Sequence, residues 1–486
     1  MAVLEPDLSV LPQSGLLIGE DHVADSSGGE FQHKYAATGK PTVAVALAGA
    51  HEIDLAVTAA RRALPHWRAT PVDQRREALL RYAQLLRQHA DELIAISQID
   101  NGFPYFAAAL GPGAAADAFS YNAGWSDKIG GDVIPTWPAP ALDYTLEEPY
   151  GVVGIIIPWN GPVYAAGMTL APALAAGNCV ILKPPELAPF AAIRLGELFL
   201  EAGFPPGVVN VVTAGPAGGD ALVRHPGVDK VHFTGSGATA QKVLAAAQST
   251  LKPVALELGG KSANIIFADA DLSNAALQGV LGMQGSGQGC INGTRVLVER
   301  SVYEDVLQLI SGILSGLEVG DPLVMSTFFG PVVSEPAADR IMGVIDTAKK
   351  SGTRLVCGGE RLGGDLADGY FIAPTVFADV DNSTTLARDE IFGPVVAVLP
   401  FDDEDEAVRI ANDSPFGLAG YIQTADLKRA HRVAAALDVG NIWVNGFLGI
   451  PTSAPFGGVK QSGWGRLGGR DGIREFTRPK NIHVAL

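Results

Sequence analysis

The sequence has few cysteines and no excess of positive charge, and each absence excludes a class of protein. Among its 486 residues only Cys179, Cys290 and Cys357 carry thiols, too few and too odd in number for a disulfide framework. A reducing compartment, the cytoplasm, is therefore expected. A formal net charge of -17 argues against nucleic acids and anionic membranes as partners, because both attract basic surfaces.

Long apolar runs are also missing. No stretch of about 20 residues is free of proline, asparagine and charge, so no membrane span is predicted. The best candidate, Met168 to Leu182, contains Pro172 and Asn178 and fits a helix, a turn and a strand better. The first ten residues have no basic region followed by an apolar run, so no signal peptide is expected. No metal site is predicted either.

What the chain does contain is an ordinary globular composition, with 47% apolar and 18% charged residues. Its length allows two or three domains. Helical periodicity over 50–98 predicts two long helices, the second opened by Pro71, and Asn101-Gly102 ends the run. Residues 132–150 surround a Pro/Trp-rich stretch and predict a strand pair that projects from the body.

From Gly151 onwards, short apolar runs alternate with helical segments, which is typical of doubly wound α/β sheets. The strands predicted for a first α/β region are Val152–Ile157, Cys179–Leu182, Val208–Val212, Lys230–Phe233 and Val254–Leu258. The helices predicted there are Ala165–Ala176, Ala191–Ala202 and Ala238–Gln248. The strands predicted for a second region are Ala263–Phe267, Thr294–Val298, Val395–Leu399 and Asn441–Val444. A loop at 450–469 and a short strand at 481–486 follow.

Three polar residues in separate segments suit chemistry on a carbonyl carbon. Cys290 follows Gln288-Gly289, Glu257 opens a Glu-Leu-Gly-Gly-Lys segment, and Asn160 ends Pro-Trp-Asn after a predicted strand. A thiol, a carboxylate and an amide can supply a nucleophile, a base and an oxyanion donor.

The order and wording of these segments resemble the NAD(P)-dependent aldehyde dehydrogenase superfamily, over nearly the whole chain from about Leu16. The further segments that carry the resemblance are Phe-Thr-Gly-Ser at 233–236, Glu-Ile-Phe-Gly-Pro at 390–394, and Pro-Phe-Gly-Gly at 455–458 followed by Lys460 and Ser462-Gly463. Six such segments in the same order and at family-like spacing are very hard to obtain by chance.

The resemblance implies an α/β fold of the aldehyde dehydrogenase type with three parts. These are a doubly wound NAD-binding domain (1–122 and 149–258), an α/β catalytic domain (259–459), and a β oligomerisation arm with a C-terminal tail (123–148 and 460–486). In this family the arm of one subunit pairs with a partner's sheet, and a lone two-stranded arm is only marginally stable. A homodimer or homotetramer is therefore expected.

The resemblance also assigns catalytic roles. Cys290 is the expected nucleophile, the Asn160 amide and the Cys290 backbone N–H stabilise the oxyanion, and Glu257 activates water. Each has a plainer alternative. Cysteine can be a small buried hydrophobe, which fits Cys179 and Cys357 better. Asn160 can be a turn residue, and Glu257 can be a strand-end carboxylate bound to backbone amides.

The cofactor site has an unusual signature, because no G-x-G-x-x-G motif follows the first strand. The better anion cradle is the Phe-Thr-Gly-Ser turn, which runs into a helix whose N–H groups can face a pyrophosphate. Glu186, after a strand end, can accept both ribose hydroxyls and repel a 2′-phosphate, so NAD is predicted over NADP. Plain alternatives are a solvated loop at 183–186 and a core role for the Phe392 ring. The residues predicted to bind the cofactor are Ile156, Pro158, Trp159, Lys183, Glu186, Gly215, Phe233, Gly235, Ser236, Leu258, Glu390 and Phe392.

The substrate pocket is carried over from the family by position. Its predicted walls are Gly161, Tyr164, Met168, Gly289, Ile291, Leu448, Ile450 and Phe456. Many relatives that act on small aldehydes place bulky aromatics where Gly161 and Met168 stand, so a wider apolar tunnel is expected here. No Arg, Lys or His is among these positions to pair with a substrate carboxylate. The predicted substrate is a bulky apolar or aromatic aldehyde.

One position departs from the family. Many relatives carry a glutamate where Leu467 stands, an acid often linked to proton relay, so the proton path here would rest on Glu257 and water alone. The leading interpretation is an NAD-dependent oxidation of an aldehyde to the acid. The alternatives are a CoA-acylating enzyme, an NADP-preferring one, and a non-catalytic protein with the same fold. Hydrolysis of thioesters or esters is a plausible side activity of the same thiol and base.

Overall fold

The computed structural model describes residues 3–447 and 449–485. In chain order its strands are β1 (Leu16–Ile18), β2 (Asp21–Val23), β3 (Glu30–Lys34), β4 (Pro41–Ala46), β5 (Val133–Ile134), β6 (Ala141–Pro149), β7 (Val152–Ile156), β8 (Cys179–Lys183), β9 (Val209–Val211), β10 (Lys230–Gly235), β11 (Val254–Leu258), β12 (Ala263–Ile266), β13 (Arg295–Glu299), β14 (Arg354–Cys357), β15 (Thr375–Ala378), β16 (Val395–Phe401), β17 (Phe416–Gly417), β18 (Ala419–Gln423), β19 (Asn441–Val444), β20 (Val459–Lys460), β21 (Gly463–Trp464) and β22 (Thr477–Ala485).

The α-helices are α1 (Ala50–Ala69), α2 (Val72–Gln88), α3 (Ala90–Asn101), α4 (Tyr105–Ala108), α5 (Leu110–Ala123), α6 (Pro162–Ala175), α7 (Phe190–Glu201), α8 (Pro216–Arg224), α9 (Gly237–Ala247), α10 (Leu272–Leu281), α11 (Tyr303–Ser315), α12 (Glu335–Lys350), α13 (Thr385–Arg388), α14 (Glu404–Asn412), α15 (Leu427–Ala436) and α16 (Gly469–Arg474). Short 3₁₀ turns connect some of these elements. Within the described ranges, no helix is long and apolar enough to cross a membrane.

The first sheet runs in the order β2-β1-β9-β8-β7-β10-β11-β21. Its five central strands are parallel, and β1 and β21 pair with it antiparallel. Strands β7 and β8 are buried along their whole length, as continuous apolar runs between covering helices should be. The sheet and the helices beside it share one large apolar core.

The second sheet runs in the order β14-β15-β16-β13-β12-β18-β19 and is parallel except at its β14 edge. Two apolar clusters pack on it, and between them they include residues of α10, α11, α12 and α14. Strand β12 follows β11 after only four residues, so the chain passes directly from one sheet to the other through Gly259-Gly260.

A separate three-stranded sheet, in the order β22-β6-β5, forms an arm. Strand β22 pairs with β6 over nine residue pairs, from Thr477 opposite Pro149 to Ala485 opposite Ala141. Several large apolar side chains on this arm are exposed, among them Val133, Trp137 and Leu142.

The strands and helices predicted for the first α/β region are confirmed. Most of their predicted ends lie within one or two residues of the observed ends. The prediction of two helices over 50–98 is wrong, because α1, α2 and α3 are separate and the last break falls at His89. The predicted end of this helical region at Asn101-Gly102 is correct, because Gly102 adopts the left-handed conformation after α3. The predicted loop at 450–469 contains β20 and β21, and the predicted short terminal strand begins earlier, at Thr477.

Candidate active site

One cavity of about 1080 Å³ lies between the two sheets, and its walls come from both. Every predicted catalytic, cofactor-binding and substrate-binding residue lines it except Leu448, which lies outside the described residues. The structure therefore brings together residues that are as much as 300 positions apart in the chain. A cavity of this size suits a dinucleotide and a small substrate together.

Asn160 lies in the turn after β7 and reaches the loop that carries the thiol. Its side-chain amide nitrogen donates a hydrogen bond to the backbone carbonyl of Gln288, at 2.7 Å. Gln288 is buried, donates to the Gly285 carbonyl at 3.0 Å and accepts from the Val333 amide at 2.8 Å. The loop is thus fixed on both sides, and Asn160 retains one amide hydrogen for another acceptor.

Cys290 is half-buried in the same cavity. Burial, together with the carboxylates of Glu390 and Glu257, raises the pKa of its thiol to about 12. The thiol is therefore neutral, and forming the thiolate requires a proton acceptor or a nearby positive charge. Cys179 and Cys357 do not line the cavity; both lie in strands and fit the structural alternative.

Glu257 is buried on β11, and neither of its carboxylate oxygens has a hydrogen-bond partner among the described residues. Burial raises its pKa well above the usual value, the positive charge of Arg466 lowers it, and Glu475 raises it. The alternative of a carboxylate tied to backbone amides is therefore not what the structure shows. An unpaired buried carboxyl is costly and is typical of a group held ready for proton transfer.

Leu467 lines the same cavity as this carboxyl. Its backbone exchanges two hydrogen bonds with Phe456, at 2.7 and 2.8 Å, so both residues face the cavity from one short hairpin. Both side chains are buried. An apolar side chain therefore occupies the position that the family resemblance associates with an acid.

Residues at the far end of the cavity are arranged for an anion. Ser236 caps α9, and its hydroxyl accepts a hydrogen bond from the Thr239 amide at 3.3 Å. A side chain at Gly235 would lie 2.6 Å from the Phe233 ring, whereas one at Gly237 would meet nothing within 4 Å. Gly215 similarly precedes α8, whose first turn also lines the cavity. Free N–H groups at helix starts beside open space suit phosphates.

Lys183 and Glu186 lie beside this end of the cavity. Their charged atoms, Nζ and Oε2, are 4.0 Å apart. Burial lowers the pKa of Lys183, and Glu186 opposes that shift. Glu186 is only half-buried, so its carboxylate remains open to a ligand hydroxyl.

Glu390 and Phe392 also line the cavity. The Gly260 amide donates to Glu390 Oε1 at 3.1 Å. The pKa of Glu390 is raised to about 7, because burial outweighs the opposing effects of this hydrogen bond and of the Lys261 and Arg340 charges. Phe392 has a φ of 52°, which is unusual for a bulky residue and common at functional sites. Its ring meets the Trp159 ring edge-on at 5.4 Å.

Apart from Leu448, the predicted substrate walls are mostly apolar and line the same cavity as Cys290. Met168, Ile291 and Phe456 are buried. At Gly161 an added Cβ would find only Tyr164, at 4.0 Å, so the space there is open.

Sequence reasoning missed a further wall, which is built by α4, α5 and the turn before them. These additional lining residues are Phe103, Ala107, Ala108, Leu110, Gly111 and Ala114. The signal was present, because 103–116 has no charge and is rich in small residues. Arg340 and Lys242 also line the cavity, and neither was predicted.

Comparison with known proteins gives one consistent result. The family model described as "Aldehyde dehydrogenase family" matches residues 22–482. An aldehyde dehydrogenase-like protein of Schizosaccharomyces pombe is 44% identical over 90% of this chain and 89% of its own. An aldehyde dehydrogenase of Emericella nidulans is 41% identical over 97% and 95%. The NAD+ complex of an aldehyde dehydrogenase from Bacillus cereus superposes with a TM-score of 0.95 at 38% identity, covering 100% of both chains.

Proposed function

The chain belongs to the aldehyde dehydrogenase family, and from this premise we propose that it uses Cys290 and NAD to oxidise a bulky apolar or aromatic aldehyde to its carboxylic acid. The observation that carries the proposal is the meeting of Asn160, Cys290 and Glu257 in one cavity with an anion cradle at its far end. Membership of the family makes the protein an oxidoreductase. We propose in addition that NAD is the cofactor, that Cys290 is the nucleophile and that the substrate is a bulky aldehyde.

Three side chains of the protein carry the chemistry. The Cys290 thiol loses its proton to solvent, and its sulfur attacks the aldehyde carbon. The Asn160 amide and the Cys290 N–H donate to the oxygen that becomes negative. Loss of hydride from the carbon leaves an acyl thioester on Cys290. Water then attacks that thioester, its proton passes to Glu257, and the acid leaves as the thiol is restored. The raised pKa of Glu257 suits a base that works near neutrality.

The residues present fit NAD. The capped start of α9 and the start of α8 would hold the pyrophosphate, Glu186 the adenosine ribose, and Glu390 and Phe392 the nicotinamide end. NAD supplies the hydride acceptor when bound. The half-buried Glu186 disfavours a 2′-phosphate by like charge, which supports NAD over NADP.

The shape of the substrate passage supports a bulky aldehyde. The open space at Gly161, the flexible Met168 and the uncharged wall of α4 and α5 leave room for an aromatic ring or a long chain. A carboxylate-bearing aldehyde would find no cation among the predicted pocket positions, because Arg340 and Lys242 line the part of the cavity beside Glu390 and α9.

The exposed apolar side chains of the arm support a homodimer or homotetramer, since apolar surface of this kind is usually covered by a partner. The few cysteines, none of them paired, suit a reducing compartment, which we propose is the cytoplasm. Light scattering of the purified protein tests the assembly directly, and a monomer at micromolar concentration would contradict it.

The experiment that tests the function is NADH formation, followed by absorbance, with a panel of aldehydes from acetaldehyde to long-chain and aromatic ones. Wild type should turn over, Cys290→Ala should not, and Cys357→Ala, the same change outside the cavity, should match wild type. Free acid should form without CoA, because Glu257 is present to activate water. Turnover that requires CoA would favour the acylating alternative, and NAD binding without turnover would favour the non-catalytic one.

A further inference from the structure

A charged side chain that is not one of the proposed catalytic residues lies near Glu257. A Cβ added at Gly457 would lie 2.8 Å from Glu257 Oε1 and 2.9 Å from Arg466 Cδ. The carboxylate and the arginine stem are therefore packed against the same glycine. With Leu467 apolar, Arg466 is the cation that acts on this buried carboxyl.

Arg466 is held in place from several directions. Its Nη1 donates to the carbonyls of Gly458 and Gly465, at 2.9 and 2.6 Å. Its backbone N–H donates to Glu475 Oε2 at 3.3 Å. Glu475 is in turn paired with the buried Lys230, whose ammonium lies 4.7 Å above the Tyr150 ring. An arginine restrained in this way has a defined position relative to Glu257.

We propose that Arg466 is a positioning residue for Glu257 and that its fixed positive charge keeps this buried carboxyl able to ionise. Its role would matter more in this chain because Leu467 stands where many relatives carry an acid. The inference rests on the proposed role of Glu257 as the base. The segment 456–475 would then contribute a charge that acts on Glu257, in addition to residues that line the cavity.

Other titratable groups near Glu257 do not supply this charge. Cys290 and Tyr164 have pKa values raised by burial, so both are neutral near pH 7. His232, on the neighbouring strand β10, has a pKa lowered to about 3 by burial and is neutral as well. Glu475 opposes ionisation of Glu257, and Lys230 is paired with Glu475.

The test isolates the step that Glu257 performs and needs no cofactor. p-Nitrophenyl acetate acylates Cys290, forming an acetyl thioester and releasing p-nitrophenol. After excess ester is removed, water cleaves the thioester to acetate and the free thiol. The acetyl-enzyme is followed by intact mass after acid quenching, which gives a first-order deacylation rate at each pH. Wild type, Glu257→Gln, Arg466→Gln, Arg466→Lys and Arg470→Gln are compared.

Removal of the Arg466 charge destabilises the carboxylate, so the acidic limb of the rate profile in Arg466→Gln should move up by about one pH unit. Below that limb its deacylation should be about tenfold slower than wild type. Arg466→Lys should restore most of the shift. Arg470→Gln, the same change at an exposed arginine of α16, should leave the profile unchanged.

The outcomes separate this inference from the function on which it rests. If Cys290 is not acylated, or if Glu257→Gln deacylates like wild type, the proposed mechanism fails. If Glu257→Gln loses the limb while a folded Arg466→Gln keeps it at the wild-type pH, only the role of Arg466 is overturned. Arg466→Met, which retains the aliphatic stem beside Gly457, replaces the glutamine variant if that variant does not fold.

Discussion

Asn160 and Gln288 are joined by a 2.7 Å hydrogen bond that connects the end of a strand in one sheet to the loop before the thiol. This bond does more than hold the loop. The amide retains a second hydrogen, and the proposed oxyanion role assigns that hydrogen to an oxygen bound at Cys290. Asn160 also stands in the turn after β7, so the turn role and the oxyanion role do not exclude each other.

Asn160→Ala should lower kcat by about a hundredfold to a thousandfold, because one of two oxyanion donors is lost. Cofactor affinity, measured by titration calorimetry with NAD, should change little. Asn122→Ala, a buried asparagine whose amide bonds within α5, is the control for general damage to packing. A variant with wild-type kcat would remove Asn160 from the reaction.

Gly161→Phe should narrow the substrate passage, because a side chain there would enter space that is now open. We expect kcat/KM to fall at least about tenfold for aromatic and long-chain aldehydes and to change much less for acetaldehyde. The ratio of the two specificity constants is the measurement. Equal losses for small and large aldehydes would mean that this glycine does not set substrate size.

Glu186→Gln should relax the choice of cofactor, since the carboxylate that repels a 2′-phosphate is neutralised. The ratio of kcat/KM for NADP to that for NAD should rise by about tenfold or more. Glu201→Gln, a change at a carboxylate at the far end of α7, serves as the matched control. Wild-type enzyme with similar constants for both cofactors would contradict the predicted preference at the outset.

Gly259→Ala should weaken cofactor binding, because the new methyl would lie 2.0 Å from Glu390 Oε2 and force this carboxylate to move. The dissociation constant of NAD should rise while the fold is retained. Gly343→Ala in α12, where an added Cβ meets nothing within 4 Å, should bind NAD normally and be slightly more stable. Unchanged NAD affinity in Gly259→Ala would remove Glu390 from the cofactor site.

Glu257→Gln should stabilise the protein at alkaline pH while it abolishes turnover. The folded pKa of Glu257 lies above its ordinary value of 4.5, so ionisation favours the unfolded chain as the pH rises between the two. We expect the variant to be more stable than wild type by about 1 kcal/mol at pH 8 and equal to it near pH 4. Thermal melts at both pH values measure this. A difference that does not depend on pH would show that the carboxyl is not strained by burial.

Elements with a strong local signal could be predicted from the sequence. Strands β7 and β8 are continuous apolar runs, and α9 begins at a serine that caps it. The break at His89 was missed because helical spacing continues on both sides of it and no proline or glycine marks it. Strands β20 and β21 were missed because two-residue strands depend on their distant partners, not on their own residues.

The residues of the candidate site divide in the same way, into those with a distinctive local sequence and those without one. Cys290, Glu257 and Asn160 could be predicted to share a site because each stands in a distinctive segment, and all three line one cavity. Arg466 could not be predicted, because its proposed role depends on Gly457, which lies beside both Arg466 and Glu257, a residue some 200 positions earlier in the chain. The wall formed by α4 and α5 was also missed, because alanine and glycine carry no chemical signal, and only tertiary packing makes them line a cavity.

The placement of the site between two sheets has a consequence for how the protein loses activity. The loop of Cys290, the Asn160 amide and the start of α9 line one cavity only while the two sheets remain docked. A slight loosening of that junction would separate the reacting groups before either apolar core is disrupted. Turnover should therefore be lost at lower urea concentrations than secondary structure, and bound NAD should close the gap between the two transitions.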